Sequence, residues 1–248
     1  MKISLVVNTT TKVKDLWPMF FGQVDKHISK DFFSNKYVFT DASNSDIPND
    51  YKVLLYNKND EYTDQFSSCI NKVEEEYCIY VSEDCILYET AKEEIIKKYL
   101  KILATNKDID FIKLIKGGIV INDYGNYKNY NDLHWLNNKD HYFYTNQPAI
   151  WRTKTLELIH RNSPTLNIAK FEYYATNICQ ILGIKGVYCY HNEPKRGQYH
   201  FNTKIFPYIA TALVKGKWNY EEYPKELEKM FEKYKIDNNI RGLYYENQ

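Results

Sequence analysis

The run Tyr77-Cys78-Ile79-Tyr80-Val81-Ser82-Glu83-Asp84-Cys85-Ile86-Leu87 sets the architecture of this chain. Its first half is unbroken apolar sequence of strand length, the pattern of a strand buried on both faces, and such strands belong to parallel sheets covered by helices. Two adjacent acids follow at once. In open α/β sheets ligands bind outside the carboxyl ends of the strands, so Glu83 and Asp84 fall where chemistry is expected. Their plainer reading is that they solvate a turn or cap the helix that follows.

Outward from this strand, similar runs at Ile3-Asn8, Tyr37-Thr40, Lys52-Tyr56 and Phe111-Ile115 alternate with helical patterns at Asp15-Ile28, Tyr62-Val73 and Thr90-Thr105. In the last of these Ile95, Ile96, Tyr99, Leu100 and Leu103 recur at helical spacing. The alternation predicts an α/β fold with a mostly parallel sheet flanked by helices. After Gly117-Gly118 the chain turns polar over Asn122-Asp140, the composition of a long loop, an irregular hairpin or a lid. A strand at Tyr142-Thr145, helices near Thr153-Arg161 and Asn167-Leu182, a strand at Gly186-Tyr190 and a charged helix at Pro224-Tyr234 follow. No repeat or Pro/Gly/Ser-rich linker divides the chain, so one domain over residues 1–248 is expected.

The 248 residues are 44% apolar, enough for a sizeable core. Thirty-three Lys and Arg against 32 Asp and Glu give a net charge of +1, which argues against a nucleic-acid-coating surface. No stretch has the roughly 18 to 20 consecutive apolar residues of a membrane span, and Met1-Lys2-Ile3-Ser4-Leu5-Val6-Val7-Asn8 reads as a first strand rather than a signal-peptide core. The five cysteines, Cys69, Cys78, Cys85, Cys179 and Cys189, are odd in number and form no Cys-x-x-Cys pair. A reducing, cytoplasmic location is the expectation. Arginine occurs only at Arg152, Arg161, Arg196 and Arg241, which singles out each as a candidate for bidentate phosphate or carboxylate contacts.

Carboxylates at the end of a buried strand suit a hard divalent cation such as Mg²⁺ or Mn²⁺, which takes oxygen ligands and bridges to substrate phosphates. With Val81-Ser82-Glu83-Asp84-Cys85 in that place, the chain resembles the small GT-A type glycosyltransferases of viral or bacterial glycan assembly, whose nucleotide-binding half ends in an acidic Asp-x-Asp-like motif. The segment Asn146-Gln147-Pro148-Ala149-Ile150-Trp151-Arg152 is similar to their acceptor-side strand and helix. Ser82 or Cys85 stands where a second Asp is usual, a departure that leaves open both metal dependence and which of Glu83 and Asp84 would be the direct ligand.

The resemblance implies a nucleotide-sugar-binding half, residues 1–116, and an acceptor-binding half with a C-terminal helix, residues 117–248. It implies a sugar moved from a nucleoside-diphosphate donor, UDP more than GDP, to a hydroxyl of a glycan acceptor, with a homodimer among the expected assemblies. Thr9, Thr10 and Asp41 occupy the positions that hold base and ribose; equally, the threonines cap a helix and Asp41 nucleates a turn. Lys195 and Arg196, in Glu193-Pro194-Lys195-Arg196-Gly197, are placed to contact a diphosphate, and His191 or His200 to complete the metal site; the plainer reading is a basic surface turn. Asn146, Gln147 and Trp151 are expected on the acceptor side, with Trp151, Tyr144 and Trp135 as sugar platforms. If the reaction inverts, it needs a general base, and Glu172 in Lys170-Phe171-Glu172-Tyr173-Tyr174 is the first choice, although surface glutamates on helices are commonplace.

Two rivals share the scaffold. A sugar nucleotidyltransferase normally carries a Gly-rich, Arg-containing loop after the first strand, where this chain has Asn8-Thr9-Thr10-Thr11-Lys12. A non-catalytic module binding saccharides or protein partners explains the weakened acidic motif by loss of catalysis. A nuclease core fails because Asp110-Phe111-Ile112-Lys113 has one residue too many. No phosphate-binding Gly-rich loop, dinucleotide fingerprint or Gly-x-Ser-x-Gly elbow is present.

Overall fold

The computed structural model describes residues 1–118, 124–164 and 168–245, with the side chain of Ala169 excepted. Asn122 and Asn167, at the edges of two expected segments, lie outside the described residues. In chain order the strands are β1 (Ser4–Asn8), β2 (Asn35–Thr40), β3 (Tyr51–Leu55), β4 (Tyr77–Ser82), β5 (Ile86–Leu87), β6 (Phe111–Lys113), β7 (Leu133–Trp135), β8 (Ala149–Arg152), β9 (Gly186–Cys189), β10 (Lys195–Arg196), β11 (His200–Phe201), β12 (Tyr208–Ile209), β13 (Leu213–Val214) and β14 (Lys217–Trp218). The helices are α1 (Trp17–His27), α2 (Tyr62–Ile70), α3 (Glu93–Thr105), α4 (Thr153–Asn162), α5 (Ile168–Ile181) and α6 (Pro224–Tyr234).

Eight strands form one sheet in the order β3-β2-β1-β4-β8-β6-β9-β7. β1, β2, β3 and β4 are parallel neighbours, as are β6 and β9, while β8 runs antiparallel between β4 and β6 and β7 runs antiparallel at the edge. Alternation along the central strands feeds two cores. Leu5, Val7, Ile79 and Val81 face the layer that holds Trp17 and Phe20 of α1, Ile96 and Leu100 of α3 and Leu227 of α6. Val6, Cys78 and Tyr80 face the opposite layer, with Phe66 of α2, Leu156 and Ile159 of α4 and Phe171 of α5. Helices on both faces explain why Tyr77-Val81 is apolar without a break.

The central sheet matches the expectation, and two segments differ from it. Tyr142-Thr145 is a turn, with Tyr142 at φ 61°. The strand of this region is β8, four residues long and running straight into α4, so no turn residue separates strand from helix in the sequence. Within the polar stretch, Leu133–Trp135 is the edge strand β7, with only Leu133 fully buried. Arg152, at the β8–α4 junction, donates to the Leu103 carbonyl at 2.6 Å and the Asn106 carbonyl at 3.0 Å, satisfying the C-terminal end of α3. Its role is structural.

Candidate active site

The chain order of the sheet reverses between β1 and β4: β2 and β3 continue to one side of β1, and β4 lies on the other. A crevice opens outside the carboxyl ends at such a switch point. Here it is a cleft of about 760 Å³ between the loops that follow β1, β2 and β4 and the start of α5. Asn8 and Ser82 are paired at the ends of the two strands, so the loops Thr9-Thr10 and Glu83-Asp84 leave the sheet side by side. Thr9, Thr10, Asp41, Glu83, Asp84, Asn146, Gln147 and Glu172 all line this cleft.

Glu83 and Asp84 form the turn after β4, closed by the Cys85 amide donating to the Ser82 carbonyl at 3.0 Å. The next element is strand β5, so the acids cap no helix. Burial and the neighbouring Asp84 charge raise the Glu83 carboxyl well above the usual range; burial, and then the charge of Glu172, raises Asp84. Burial and the neighbouring carboxylate charges thus disfavour full ionisation of the acids, although Lys12 and Lys58 also line the cleft. The cation acting on Glu83 is Arg241, which Asp15 clamps through two hydrogen bonds of 2.5 Å. Two carboxylates at a cleft wall suit Mg²⁺ or Mn²⁺, which bind through one or two carboxylates with substrate phosphates completing the shell. Among the described residues no three His, Cys, Asp or Glu side chains converge to hold a metal by themselves.

Asp41 ties the loop after β2 to the loop after β1. Its carboxylate accepts from the Thr11 amide and hydroxyl at 2.7 Å each and from the Thr10 hydroxyl at 3.2 Å. Burial pushes this carboxyl up, but these bonds bring it below the usual value. Thr9 accepts from the Trp17 indole at 2.8 Å, and its carbonyl accepts from the Tyr56 hydroxyl at 2.7 Å. This wall of the cleft is braced before any ligand arrives.

Glu172 stands on the wall between two cavities. It lines the cleft of the acids and also a neighbouring cavity of about 320 Å³; Gln147 and Thr211 border both as well. The Asn146 amide donates to its Oε1 at 2.7 Å, and burial raises its carboxyl. Gln147 is fixed by donating to the Ala210 carbonyl at 2.9 Å and accepting from the Tyr208 hydroxyl at 2.8 Å. Lys113, in the middle of the sheet on β6, is buried and lines the second cavity. Burial pulls its ammonium down to about 8. Arg241 stands out in the sequence only as one of four arginines, and Lys113 is not among the expected site residues. A lysine inside an apolar strand is itself a signal, because lysine is almost never fully buried unless it has a task or a partner.

Other expected residues lie elsewhere. Trp151 is fully buried, stacked on Phe111 at 4.1 Å, and reaches neither cavity; Tyr144 is equally buried. Trp135 packs edge-on against Tyr127 at 4.9 Å. His200 Nε2 lies 2.5 Å from the Tyr223 hydroxyl, and burial, with Arg196 adding to it, pulls its imidazole down to about 4. His191 sits 3.6 Å from Asp132 and 3.7 Å from Glu193. Neither histidine lines the cleft of Glu83 and Asp84. Lys195 and Arg196 border a separate outer cleft of about 900 Å³. Arg196 donates twice to Glu226 at 2.9 Å and twice to the Glu222 carbonyl, with its guanidinium 3.9 Å from the Tyr223 ring centroid. It clips the β10–β11 hairpin to α6.

No family model and no curated protein matches the sequence. Among solved structures, residues 1–349 of S. aureus TarS are 14% identical, with 97% of this chain and 68% of that one covered at a TM-score of 0.53. The chain spans 41% of the whole S. aureus TarS. CMP:2-keto-3-deoxy-manno-octonic acid synthetase complexed with CTP is 12% identical, with 76% of this chain and 89% of that one covered at 0.50. The Pyrobaculum calidifontis mannosyltransferase PcManGT, in complex with GDP-Man and Mn²⁺, is 13% identical, with 79% and 58% covered at 0.48. At these identities the likeness speaks for architecture: this chain has a GT-A-like α/β fold.

Proposed function

We propose that the protein is a glycosyltransferase that moves a sugar from a nucleoside-diphosphate donor, UDP in preference to GDP, to a hydroxyl of a glycan acceptor. The observation that carries this reading is Glu172, the carboxylate shared by the acid-lined cleft and the second cavity. The first takes the donor across Thr9, Thr10 and Asp41, with its diphosphate toward Glu83 and Asp84. The second takes the acceptor.

Glu172 accepts the acceptor hydroxyl proton as that oxygen bonds to the anomeric carbon. The anomeric C–O bond breaks, and its electron pair leaves with the nucleoside diphosphate. Asn146 holds the carboxylate through its amide, and Gln147 borders both substrates. Glu83 and Asp84 would hold Mg²⁺ or Mn²⁺, which when bound supplies positive charge to the leaving diphosphate. The charge that Asp84 places on Glu83 favours an arriving cation, which would relieve that repulsion. Five buried free cysteines suit a reducing compartment, and a cytoplasmic site of action fits them. No helix among the described residues is long and apolar enough to cross a membrane.

The test is donor turnover. UDP- and GDP-sugars are incubated with the protein and Mn²⁺, with and without a panel of glycans, and released nucleoside diphosphate is measured. Release that requires Glu172 is the expected result; consumption of no donor together with no nucleotide-induced thermal stabilisation overturns the reading. A sugar nucleotidyltransferase is the second reading, favoured by the 89% coverage of the CTP-bound synthetase. It predicts pyrophosphate release from CTP and a free sugar instead.

A further inference from the structure

The glycosyltransferase reading leaves Lys113 unused, although it is a buried cation on the wall of the acceptor cavity. The strand β6 delivers it there: Phe111 packs into one core, Ile112 into the other, and Lys113 closes the strand at its carboxyl end. Its ammonium donates to the Tyr142 carbonyl at 2.9 Å, in the turn where Tyr142 takes its left-handed conformation. Glu172 faces the same cavity, held by the Asn146 amide. Each charge is thus tethered to backbone, and among the described ion pairs none joins the two directly.

We infer that Lys113 is a positioning residue for Glu172: its tethered ammonium keeps the carboxylate ionised across the cavity without a direct ion pair, so that Oε2, the oxygen the Asn146 amide does not bond, is left for an acceptor hydroxyl. A general base inside a protein faces two opposed demands. Burial and nearby negative charge favour its protonated form, which cannot accept a proton; a direct ion pair restores the charge but occupies the oxygens. A cation held at a short remove meets both demands.

Burial disfavours the charged form of Glu172, and the Asn146 amide and Lys113 oppose it. Asp84 and Cys85 approach from the turn after β4, Tyr62 from α2 and Tyr144 from the segment before β8; of these Asp84 carries negative charge. His141 and His200 line the cavity, and His200 is neutral near pH 7 because burial pulls it down to about 4. Lys113 is the positive charge that acts on Glu172, and Glu172 in turn favours the charged form of Lys113 against burial. This inference rests on the base role of Glu172, but the charge coupling can be read without catalysis.

The experiment is an NMR titration of protein labelled with ¹³C at glutamate carboxyls, the Glu172 signal being assigned by its loss in Glu172→Gln. In Lys113→Met, which keeps the length of the stem and removes the charge, the Glu172 titration moves up by about one pH unit. In Lys113→Arg it stays in place. If the Met variant folds poorly, the reverse reading serves: Glu172→Gln lowers the titration of the Lys113 ammonium. In donor turnover, Lys113→Met shifts the acidic limb of the pH profile upward and lowers kcat with an unchanged KM for the nucleotide sugar, and Lys113→Arg restores both. A Glu172 titration that does not move in Lys113→Met overturns the inference, even if turnover still needs Glu172. Coupled titrations with turnover indifferent to Glu172→Gln overturn the base role instead.

Discussion

The placement of Glu172 depends on a buried imidazole, which makes the candidate active site sensitive to acid through packing. His160 of α4 is fully buried, stacked on Phe66 of α2 at 3.6 Å and on Phe171 of α5 at 4.4 Å; Phe171 directly precedes Glu172. Its Nδ1 lies 3.0 Å from the Leu156 carbonyl, and its Nε2 is buried without a partner. Burial pulls this imidazole from 6.5 down to about 3. A second proton would go on Nε2, among aromatic rings. Because the folded value is depressed, the unfolded chain takes up the proton first, so the stability of the neutral form is full above 6.5 and is lost as pH falls toward 3.

At pH 5 the gap from the unfolded value is about 1.5 pH units, or about 2 kcal/mol. For a chain of this size that is a fall in Tm of roughly 4–8 °C from this one group. Groups with raised values, Glu172 among them, act in the opposite sense, so the contribution of His160 is isolated by comparison with His160→Leu. Leucine suits the apolar cluster, and the Leu156 carbonyl keeps the helix amide. Thermal unfolding is followed for both proteins at about pH 7.5 and about pH 5. The wild type loses roughly 4–8 °C more on acidification than the variant does. Equal losses would refute the reasoning, because the charge would then be tolerated at a site shown as closed.

Three further outcomes follow from the site. Glu172→Gln lowers kcat by roughly 10²- to 10⁴-fold with little change in nucleotide affinity, measured by turnover and calorimetry. Asp84→Asn removes the extra thermal stabilisation that Mn²⁺ adds to UDP, while UDP alone is affected less. Arg196→Ala breaks the paired hydrogen bonds to Glu226 and costs about 1–3 kcal/mol in denaturant unfolding, yet leaves nucleotide affinity unchanged, since Arg196 lies outside the acid-lined cleft.

Much of the sheet was legible because its central strands carry unbroken apolar runs such as Leu5-Val6-Val7 and Tyr77-Val81, and the acids were legible because they sit directly after one of them. Trp151 misled because a tryptophan reads the same in a core as on a sugar platform; only the stacking on Phe111 decides between them. Arg196 misled because its partner, Glu226, is 30 residues further on. β8 was hidden by its length and by its direct passage into α4. Glu172 stands out in the sequence only as one helix glutamate near the acceptor-like segment, and what sets it apart from the others in the fold is the Asn146 amide 26 residues earlier in the chain. Lys113 carries a legible signal, a lysine in an apolar strand, but the cavity it borders is formed by segments distant in the sequence. Local periodicity reports burial, whereas partners set by the fold lie far apart in sequence.

The central claim is that the cleft between β1 and β4 holds a nucleoside-diphosphate donor, with its sugar toward Glu172. A crystal of the protein soaked with UDP and Mn²⁺ tests it most directly. The account predicts the uracil and ribose against Thr9, Thr10 and Asp41, the diphosphate and a cation at Glu83 and Asp84, and the terminal phosphate pointing to the wall that Glu172 shares with the second cavity. Nucleotide bound in the outer cleft of Lys195 and Arg196, with the acid-lined cleft left open, would contradict it.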